Sequence, residues 1–342
     1  MTAAPVLVEV TRGGVVESFH RGAVAIVDSD GRLVTAIGDV ARRVFPRSAV
    51  KPIQQLPLLE SGAADRYGFG PAEIALACSS HSGEPRHVAT ARKMLAAAGR
   101  SEADLECGGH PPTDRAAADA LVRAAEHWGR IHDNCSGKHA GFVCLSCAMG
   151  VTPRGYVRPD HPVQRAITAA LAEVTGAELG EPAVDGCSIP AYAIPLRNLA
   201  LGFARLVTGT GLEPARAAAA RRIVAAYFAE PFMIAGTGRF DTEILTRFRD
   251  RAFIKHGAEG VICAAFPETG LGVAIKCDDG AGRAPEVVMA TVIETLLPGE
   301  ETKAGLGNYR RPPILDRNGA KVGELRPVDG LAEMLGAALE PY

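Results

Sequence analysis

Strand patterns occur at both ends of this chain, and helical patterns fill the region between them. Near the amino terminus, apolar segments at 22–27 and 32–37 flank the loop DSDG at 28–31, which predicts a β-hairpin. Near the carboxyl terminus, the strand pattern returns at 260–266 and 271–277. We therefore expect an α+β fold in which both ends of the chain build one antiparallel sheet.

The middle of the chain is predicted to be mainly helical. Alanine-rich segments at 86–99, 115–128 and 215–229 repeat apolar residues every three or four positions. A helix is also predicted to begin near Ser48, and Pro57 lies inside it. Because proline has no amide hydrogen, Pro57 should cause a kink or an early end of this helix. A second hairpin is predicted at Asn318-Gly319.

These patterns predict one domain over residues 1–342, made of two lobes. A sheet lobe would comprise about 1–46 and 250–342, and a helical lobe about 47–249. The length of 342 residues, of which 47% are hydrophobic and 22% charged, is ample for a large single-domain enzyme.

Charge and composition exclude several classes of function. With a net charge of −2, the chain has no excess of positive charge to attract nucleic acid or an anionic membrane, so neither is expected as a partner. We see no secretory signal and no long apolar run, so we expect a soluble, cytoplasmic protein without a transmembrane helix. In that compartment the eight cysteines should be thiols or metal ligands rather than disulfides.

Ser48 and Lys51 form an S-x-x-K spacing at a predicted helix start. Residues three apart on a helix share one face, so a neutral lysine could take the proton of the serine during attack on a carbonyl. The alternative is a serine N-cap followed by a solvated lysine, and the motif alone favours that simpler interpretation.

Two further segments carry polar groups suited to a site. Ser80 lies in the hydroxyl-rich loop at 78–85, and Lys255-His256-Gly257 precedes a late strand. Glycine at such a place leaves room for a ligand to approach closely. Taken singly, each has a simpler interpretation, namely a polar turn and an exposed strand lysine.

A fourth cluster contains possible metal ligands. Cys135 and His139, with Cys187 about fifty residues later, could supply soft and borderline donors. Cys144 and Cys147 also have metal-site spacing, but apolar residues surround them on a predicted helix, so we expect core side chains. No second closely spaced cysteine pair supports a zinc ribbon, and no phosphate-binding glycine loop is present.

Four segments in sequence order resemble the rhizobial-type L-asparaginases, a family with a serine β-lactamase-like fold. They are PRSAVKP at 46–52, CSSHSG at 78–83, NCSGKH at 134–139 and DGC at 185–187. The order of Ser48, Ser80 and Lys255 also follows serine β-lactamases and penicillin-binding proteins. However, His256 replaces the threonine or serine usual there in lactamases, and no Ser-Asp-Asn run is present, which argues against β-lactam chemistry.

The resemblance implies two catalytic Ser–Lys pairs, Ser48–Lys51 and Ser80–Lys255. Ser48 would attack the side-chain amide of L-asparagine while Lys51 accepts its proton. Ser80 and Lys255 would relay a proton to the departing ammonia, and water would then release aspartate. A lysine can act as a base at neutral pH only if its pKa falls by about three units, so the pocket must be partly desolvated.

The resemblance also implies a zinc site beside these pairs, formed by Cys135, Lys138 and Cys187. His139 and Asp185 would orient ligands or substrate. Arg47 would bind a substrate carboxylate. We expect the zinc ion to shape the pocket rather than to be essential for the chemical step, and we expect a homodimer.

Three other functions stay open at this point. A glutaminase differs by one methylene of substrate, which is a weak discriminator in a pocket. A penicillin-recognising serine peptidase or sensor would normally work outside the cytoplasm, where we do not expect this chain. A non-catalytic zinc-binding structural module is the third.

Overall fold

Strands from both ends of the chain form one antiparallel sheet in the computed structural model, which describes residues 4–336. The strands are β1 (Val6–Arg12), β2 (Val15–Val27), β3 (Leu33–Ile37), β4 (Arg43–Val44), β5 (Ala183–Val184), β6 (Pro190–Ala191), β7 (Ile194–Pro195), β8 (Phe253–His256), β9 (Val261–Phe266), β10 (Leu271–Cys277), β11 (Pro313–Leu315) and β12 (Lys321–Pro327). The main sheet has the order β11-β12-β1-β2-β10-β9-β8, and β3 also pairs with β2. Separate small pairs join β4 to β7 and β5 to β6. The predicted α+β fold is confirmed.

Helices occupy most of the chain between β4 and β8 and continue after β10. They are α1 (Lys51–Gln54), α2 (Leu56–Glu60), α3 (Ala63–Arg66), α4 (Pro71–Ala77), α5 (Pro85–Ala97), α6 (Arg115–Arg123), α7 (Ser136–Ala148), α8 (Pro162–Thr175), α9 (Leu196–Thr208), α10 (Pro214–Ala229), α11 (Pro231–Ile234), α12 (Phe240–Arg247), α13 (Arg283–Leu296), α14 (Glu300–Arg310) and α15 (Leu331–Gly336). Short 3-10 helices occur at Arg47–Val50, Glu102–Asp104 and Arg130–His132. Within residues 4–336, no helix combines the length and the apolar character that a membrane span requires.

The centre of the sheet is buried on both faces. Helices α9 and α13 each pack against β9 and β10. Every residue of β9 is buried, and side chains of a strand alternate between its faces, so both faces must be covered. Gly272 of β10 allows α9 to approach closely, because a Cβ atom there would lie 2.0 Å from the carbonyl oxygen of Ala200.

Both predicted hairpins are confirmed, and one predicted helix is shorter than expected. Val27 pairs with Leu33 across the loop at 28–31. Gly319 turns between β11 and β12 with a φ of +85°. The helix predicted over 115–128 ends at Arg123, and Ala125 then adopts a φ of +52°, which no helix can contain.

The region around Pro57 is broken, as predicted. Helices α1 and α2 are separated at Gln55, since Pro57 has no amide hydrogen to bond a carbonyl one turn earlier. The start of this region differs from the prediction. Ser48 lies in a 3-10 turn, and the α-helix begins only at Lys51.

Replacing Gly272 by alanine should destabilise the protein by about 1–3 kcal/mol or more, because the added methyl group would overlap the backbone of α9. Urea unfolding measures the change. Gly307→Ala is the matched control, since Gly307 lies on the exposed side of α14 with open space around it. That variant should gain about 0.5–1 kcal/mol from helix propensity. Equal effects at the two positions would contradict this account of the packing.

Candidate active site

Lys51 points into the protein and not into solvent. Its side chain is 1% exposed. The Nζ atom donates to the carbonyl oxygen of Ser79 at 2.5 Å and lies 3.0 Å from Oγ of Ser80. The simpler interpretation of a solvated lysine is therefore wrong.

Ser80 lies between two lysine amines. Its Oγ is 3.0 Å from Nζ of Lys51 and 3.0 Å from Nζ of Lys255. A hydroxyl has one proton, so it can donate to one amine while it accepts from the other. The loop is fixed by its backbone, because the amide of Ser80 donates to the carbonyl of Ile234 at 2.9 Å. This geometry lets the hydroxyl pass a proton between the amines.

Lys255 is fully buried on β8, so the interpretation as an exposed strand lysine is also wrong. Besides Ser80, its Nζ donates to the carbonyl oxygen of His256 at 2.9 Å and lies 3.6 Å from a carboxylate oxygen of Asp241. Burial lowers the pKa of Lys255 to about 8, although the Asp241 carboxylate opposes that shift. An amine with this pKa is partly neutral near physiological pH and can accept a proton.

Ser48 is half-buried on the turn that precedes α1. Arg47 has a φ of +53°, an uncommon conformation for a residue with a side chain. Within residues 4–336 the Ser48 hydroxyl makes no hydrogen bond, and the amine of Lys51 bonds to Ser80 instead. The hydrogen bond expected between Ser48 and Lys51 is thus not formed, and their catalytic roles stay predictions.

Gly257 brings the end of β8 against this turn. A Cβ atom at Gly257 would lie 2.4 Å from the carbonyl oxygen of Pro46 and 3.2 Å from the amide nitrogen of Ala49. The space expected for a ligand is therefore filled by the chain's own backbone. This close contact joins the segment that carries Ser48 to the strand that carries Lys255.

Cys135, Lys138 and Cys187 converge at the start of α7. Nζ of Lys138 donates to Sγ of Cys187 at 2.9 Å, and the two thiols are hydrogen-bonded to each other. This bond to Cys187 is the main reason that the pKa of Cys135 is lowered, while the pKa of Cys187 is raised. Burial lowers the pKa of Lys138, but the neighbouring thiols outweigh it and the pKa is raised overall. Lys51 also helps to lower the pKa of Cys135, which places this cluster next to the Ser80 cluster.

The three side chains fit a zinc ion by their donor types. Two thiols and an amine, once deprotonated, can occupy three positions of a tetrahedron and leave one open. Within the described residues, no three or more histidine, cysteine, aspartate or glutamate side chains form a group that could hold a metal. The expected set contains only two residues of those types. Cys144 is buried as predicted, whereas Cys147 on the same helix is only half-buried.

Asp185 connects Arg47 to the cysteine cluster. Its Oδ1 accepts from Nε of Arg47 at 2.8 Å, and its Oδ2 lies 3.9 Å from Sγ of Cys187. Burial raises the pKa of Asp185, but Lys138 and Arg47 outweigh this effect and the pKa is lowered overall. Asp185 is therefore a carboxylate at neutral pH, held between two cations.

His139 is fully buried with one ring nitrogen unpaired. Its Nδ1 lies 2.6 Å from the hydroxyl of Tyr156, and that hydroxyl also accepts the amide of Glu106. When the tyrosine donates its proton to Nδ1, a neutral His139 carries its own proton on Nε2. Nε2 has no partner among the described residues, which makes it a candidate donor to a bound oxygen atom.

Two residues near the cluster, Asp241 and His81, are not among the predicted site residues. Asp241 lies in the first turn of α12, where acidic residues are common for ordinary electrostatic reasons. His81 donates from Nε2 to Ser136 at 2.9 Å, because its Nδ1 already accepts the amide of Gly83. His81 belongs to the segment CSSHSG at 78–83, which is the sequence signal that places it near Ser80.

Comparison with known proteins identifies one family. A family model described as L-asparaginase II matches residues 8–327. No curated protein matches the sequence significantly. Among solved structures, a β-lactamase from Mycobacterium bovis is 15% identical over 84% of this chain and 94% of its own, with a TM-score of 0.38. Mglu is 17% identical over 82% of this chain and 69% of its own, with a TM-score of 0.39.

The lowered pKa of Lys255 predicts a pH-dependent stability. Between pH 8 and 10.5 the unfolded chain binds a proton at this lysine and the folded protein does not, so folding is favoured as the pH rises. Relative to Lys255→Met, the wild-type free energy of unfolding should rise over this range by up to about 1.4 kcal/mol per pH unit. Urea unfolding of both proteins at several pH values measures this difference. A difference independent of pH would show that Lys255 is not perturbed.

Proposed function

The chain belongs to the L-asparaginase II family, and from this membership and the lysine–serine cluster we propose that it hydrolyses the side-chain amide of L-asparagine to aspartate and ammonia. At the level of the family, the activity is hydrolysis of an amide in a small-molecule substrate. The observation that carries the specific proposal is the Ser80 hydroxyl, which lies 3.0 Å from the amines of both Lys51 and Lys255.

The proposed reaction has two stages. A serine oxygen attacks the amide carbon, its proton passes to a lysine amine, and the carbon–nitrogen bond breaks as ammonia leaves with a proton from the network. Water then attacks the ester, and aspartate is released. Lys255 is suited to hold the proton in transit, because its pKa is about 8.

Two serines are candidates for the nucleophile. Ser48 is the one that the resemblance implies, and its hydroxyl has no competing hydrogen bond within the described residues. Ser80 is the alternative, since it already bonds to both amines. We propose that Ser48 attacks and that Ser80 relays the proton.

Substrate recognition is proposed for Arg47, His139 and Asp185. An amino acid substrate carries a carboxylate and an ammonium group. Arg47 offers a guanidinium for the carboxylate, and Asp185 beside it offers the opposite charge. The unpaired Nε2 of His139 offers one buried donor to a substrate oxygen.

Ammonia release from asparagine and glutamine, measured side by side, tests the activity. We expect release from asparagine, and both Ser48→Ala and Ser80→Ala should lose about 10³-fold or more in kcat while remaining folded, since the first removes the proposed nucleophile and the second the proposed proton relay. Mass spectrometry after rapid quenching should find an acyl group on Ser48 when Ser80 is replaced. Acylation of Ser80 in the Ser48→Ala protein would instead identify Ser80 as the nucleophile and leave the proton relay to Ser48. Release from neither substrate would refute the amidohydrolase proposal, and release from glutamine alone would make the protein a glutaminase.

We also propose that Cys135, Lys138 and Cys187 hold a zinc ion. The bound ion would supply a fixed positive charge that shapes the pocket, and the proton transfers above do not pass through it. Binding requires that the thiols and the amine lose their protons, so affinity should decrease steeply as the pH falls.

Metal analysis after dialysis against zinc tests this site. Cys187→Ala should lose most of the bound zinc, because one of three protein ligands is missing. Cys147→Ala is the control, since this half-buried cysteine lies on α7 outside the cluster. Equal zinc content in both variants would contradict the assignment.

Two further properties are also proposed. The resemblance to rhizobial-type enzymes supports a homodimer. All eight cysteines are free thiols, which supports a reducing compartment such as the cytoplasm.

A further inference from the structure

Asp241 is a buried carboxylate that faces the amine of Lys255. Its side chain is 2% exposed and lies at the start of α12. Both of its oxygens accept from one residue, because the backbone amide of His256 donates to Oδ2 at 3.0 Å and Nδ1 of His256 donates to Oδ1 at 2.5 Å. Oδ2 also lies 3.6 Å from Nζ of Lys255. The carboxylate is therefore fixed in place by the residue that follows Lys255.

Without Asp241, the positive charges around the amine of Lys255 would not be opposed by any carboxylate among the groups named below. The charged and titratable groups around its amine are Lys51, Arg239, Asp241 and the thiols of Cys135, Cys78 and Cys263. Burial and the two cations disfavour the ammonium form, and Asp241 is the carboxylate that opposes them. Burial also disfavours the ionised form of Asp241 itself, but His256 and Lys255 outweigh this effect, so its pKa lies below the usual range.

His256 connects this carboxylate to a second acid. Since Nδ1 donates to Asp241, the remaining ring nitrogen, Nε2, points away from it. Nε2 is buried without a hydrogen bond among the described residues and lies 3.6 Å from Oε1 of Glu286. Burial raises the pKa of Glu286, and the charge of Asp241 adds to this effect. The Glu286 carboxyl therefore lies beside the His256 ring, at the ring nitrogen that does not bond to Asp241.

We propose that Asp241 is a positioning residue that sets the charge state of Lys255, and that His256 holds Asp241 in place for this purpose. With the carboxylate present, the buried amine can both accept a proton from Ser80 and keep it until ammonia departs. Without it, Lys255 would remain neutral to a lower pH and would be a weaker base. The catalytic part of this inference rests on the proposed amidohydrolase function, whereas the electrostatic part does not.

Direct titration of Lys255 tests the electrostatic part. The chain has seven lysines, so the side-chain ¹³Cε resonances of lysine-labelled protein can be followed by NMR. The resonance of Lys255 is identified by its absence from the spectrum of Lys255→Met. Asp241→Asn removes the charge and keeps the shape, and His256 can change its tautomer to suit the amide. The midpoint of Lys255 should fall by about one pH unit or more, since an opposite charge at this distance shifts a pKa by about 1–3 units.

Asp279→Asn is the matched control. Asp279 pairs with Nδ1 of His20 at 2.5 Å in the same manner but is not among the groups that face Lys255. Its replacement should leave the Lys255 midpoint unchanged. If Asp241→Asn does not fold, Asp241→Thr removes the same charge and keeps a hydroxyl that can accept from His256. An unchanged midpoint in either folded variant of Asp241 would overturn the inference.

The pH profile of kcat/KM for asparagine tests the catalytic part. In Asp241→Asn the acidic limb should move to lower pH by the same amount as the NMR midpoint, and the maximal rate should fall because the base is weaker. A lower rate with an unmoved limb and an unmoved midpoint would mean that Asp241 is merely structural, which would refute the proposal. If the wild-type protein releases no ammonia but the midpoint still falls, the proposed activity fails and the electrostatic inference stands.

Discussion

One hydroxyl shared by two buried amines is the interaction on which the site depends. Ser80 lies 3.0 Å from the amines of Lys51 and Lys255, which belong to a helix and to a strand distant in sequence. Two ammonium groups so close together would repel each other strongly in a medium of low polarity. The arrangement is therefore stable only if the protein removes a proton or supplies a compensating negative charge. Asp241 and the thiol of Cys135 are the groups placed to supply it.

The edge of the main sheet at β8 is covered by other parts of the chain, and this cover helps to exclude water from the amines of Lys51 and Lys255. Strand β8 ends the order of the main sheet, and an edge strand leaves a row of backbone groups without a neighbouring strand. Here the turn at Arg47–Val50 packs against β8 and β9. Gly257 makes this possible, since any larger residue would collide with the carbonyl of Pro46. This contact helps to cover the strand that carries Lys255, and burial is the main cause of the lowered pKa of this lysine.

The sequence alone predicted the local structure well and the pairing of the site residues less well. Hairpins at 28–31 and 318–319 depend on neighbouring residues, so turn chemistry was sufficient to locate them. The pairing of Ser48 with Lys51 was inferred from helical spacing, and the two residues are still about one turn apart, because Ser48 lies in a 3-10 turn and Lys51 begins α1. The amine of Lys51 instead reaches Ser80, and such a contact between distant segments leaves no periodic trace in the sequence.

Lys138 and Lys255 are both buried in this site, but their neighbours shift their pKa values in opposite directions. Lys138 lies beside two cysteine thiols, which raise its pKa in spite of burial. Lys255 lies among two cations and one carboxylate, and burial lowers its pKa to about 8. A lysine that holds its proton firmly is a poor base, and only a competing metal ion would displace that proton. A lysine that gains and loses its proton near neutral pH is suited to proton transfer. The different neighbours of the two amines therefore assign them different tasks, although both side chains are equally hidden from water.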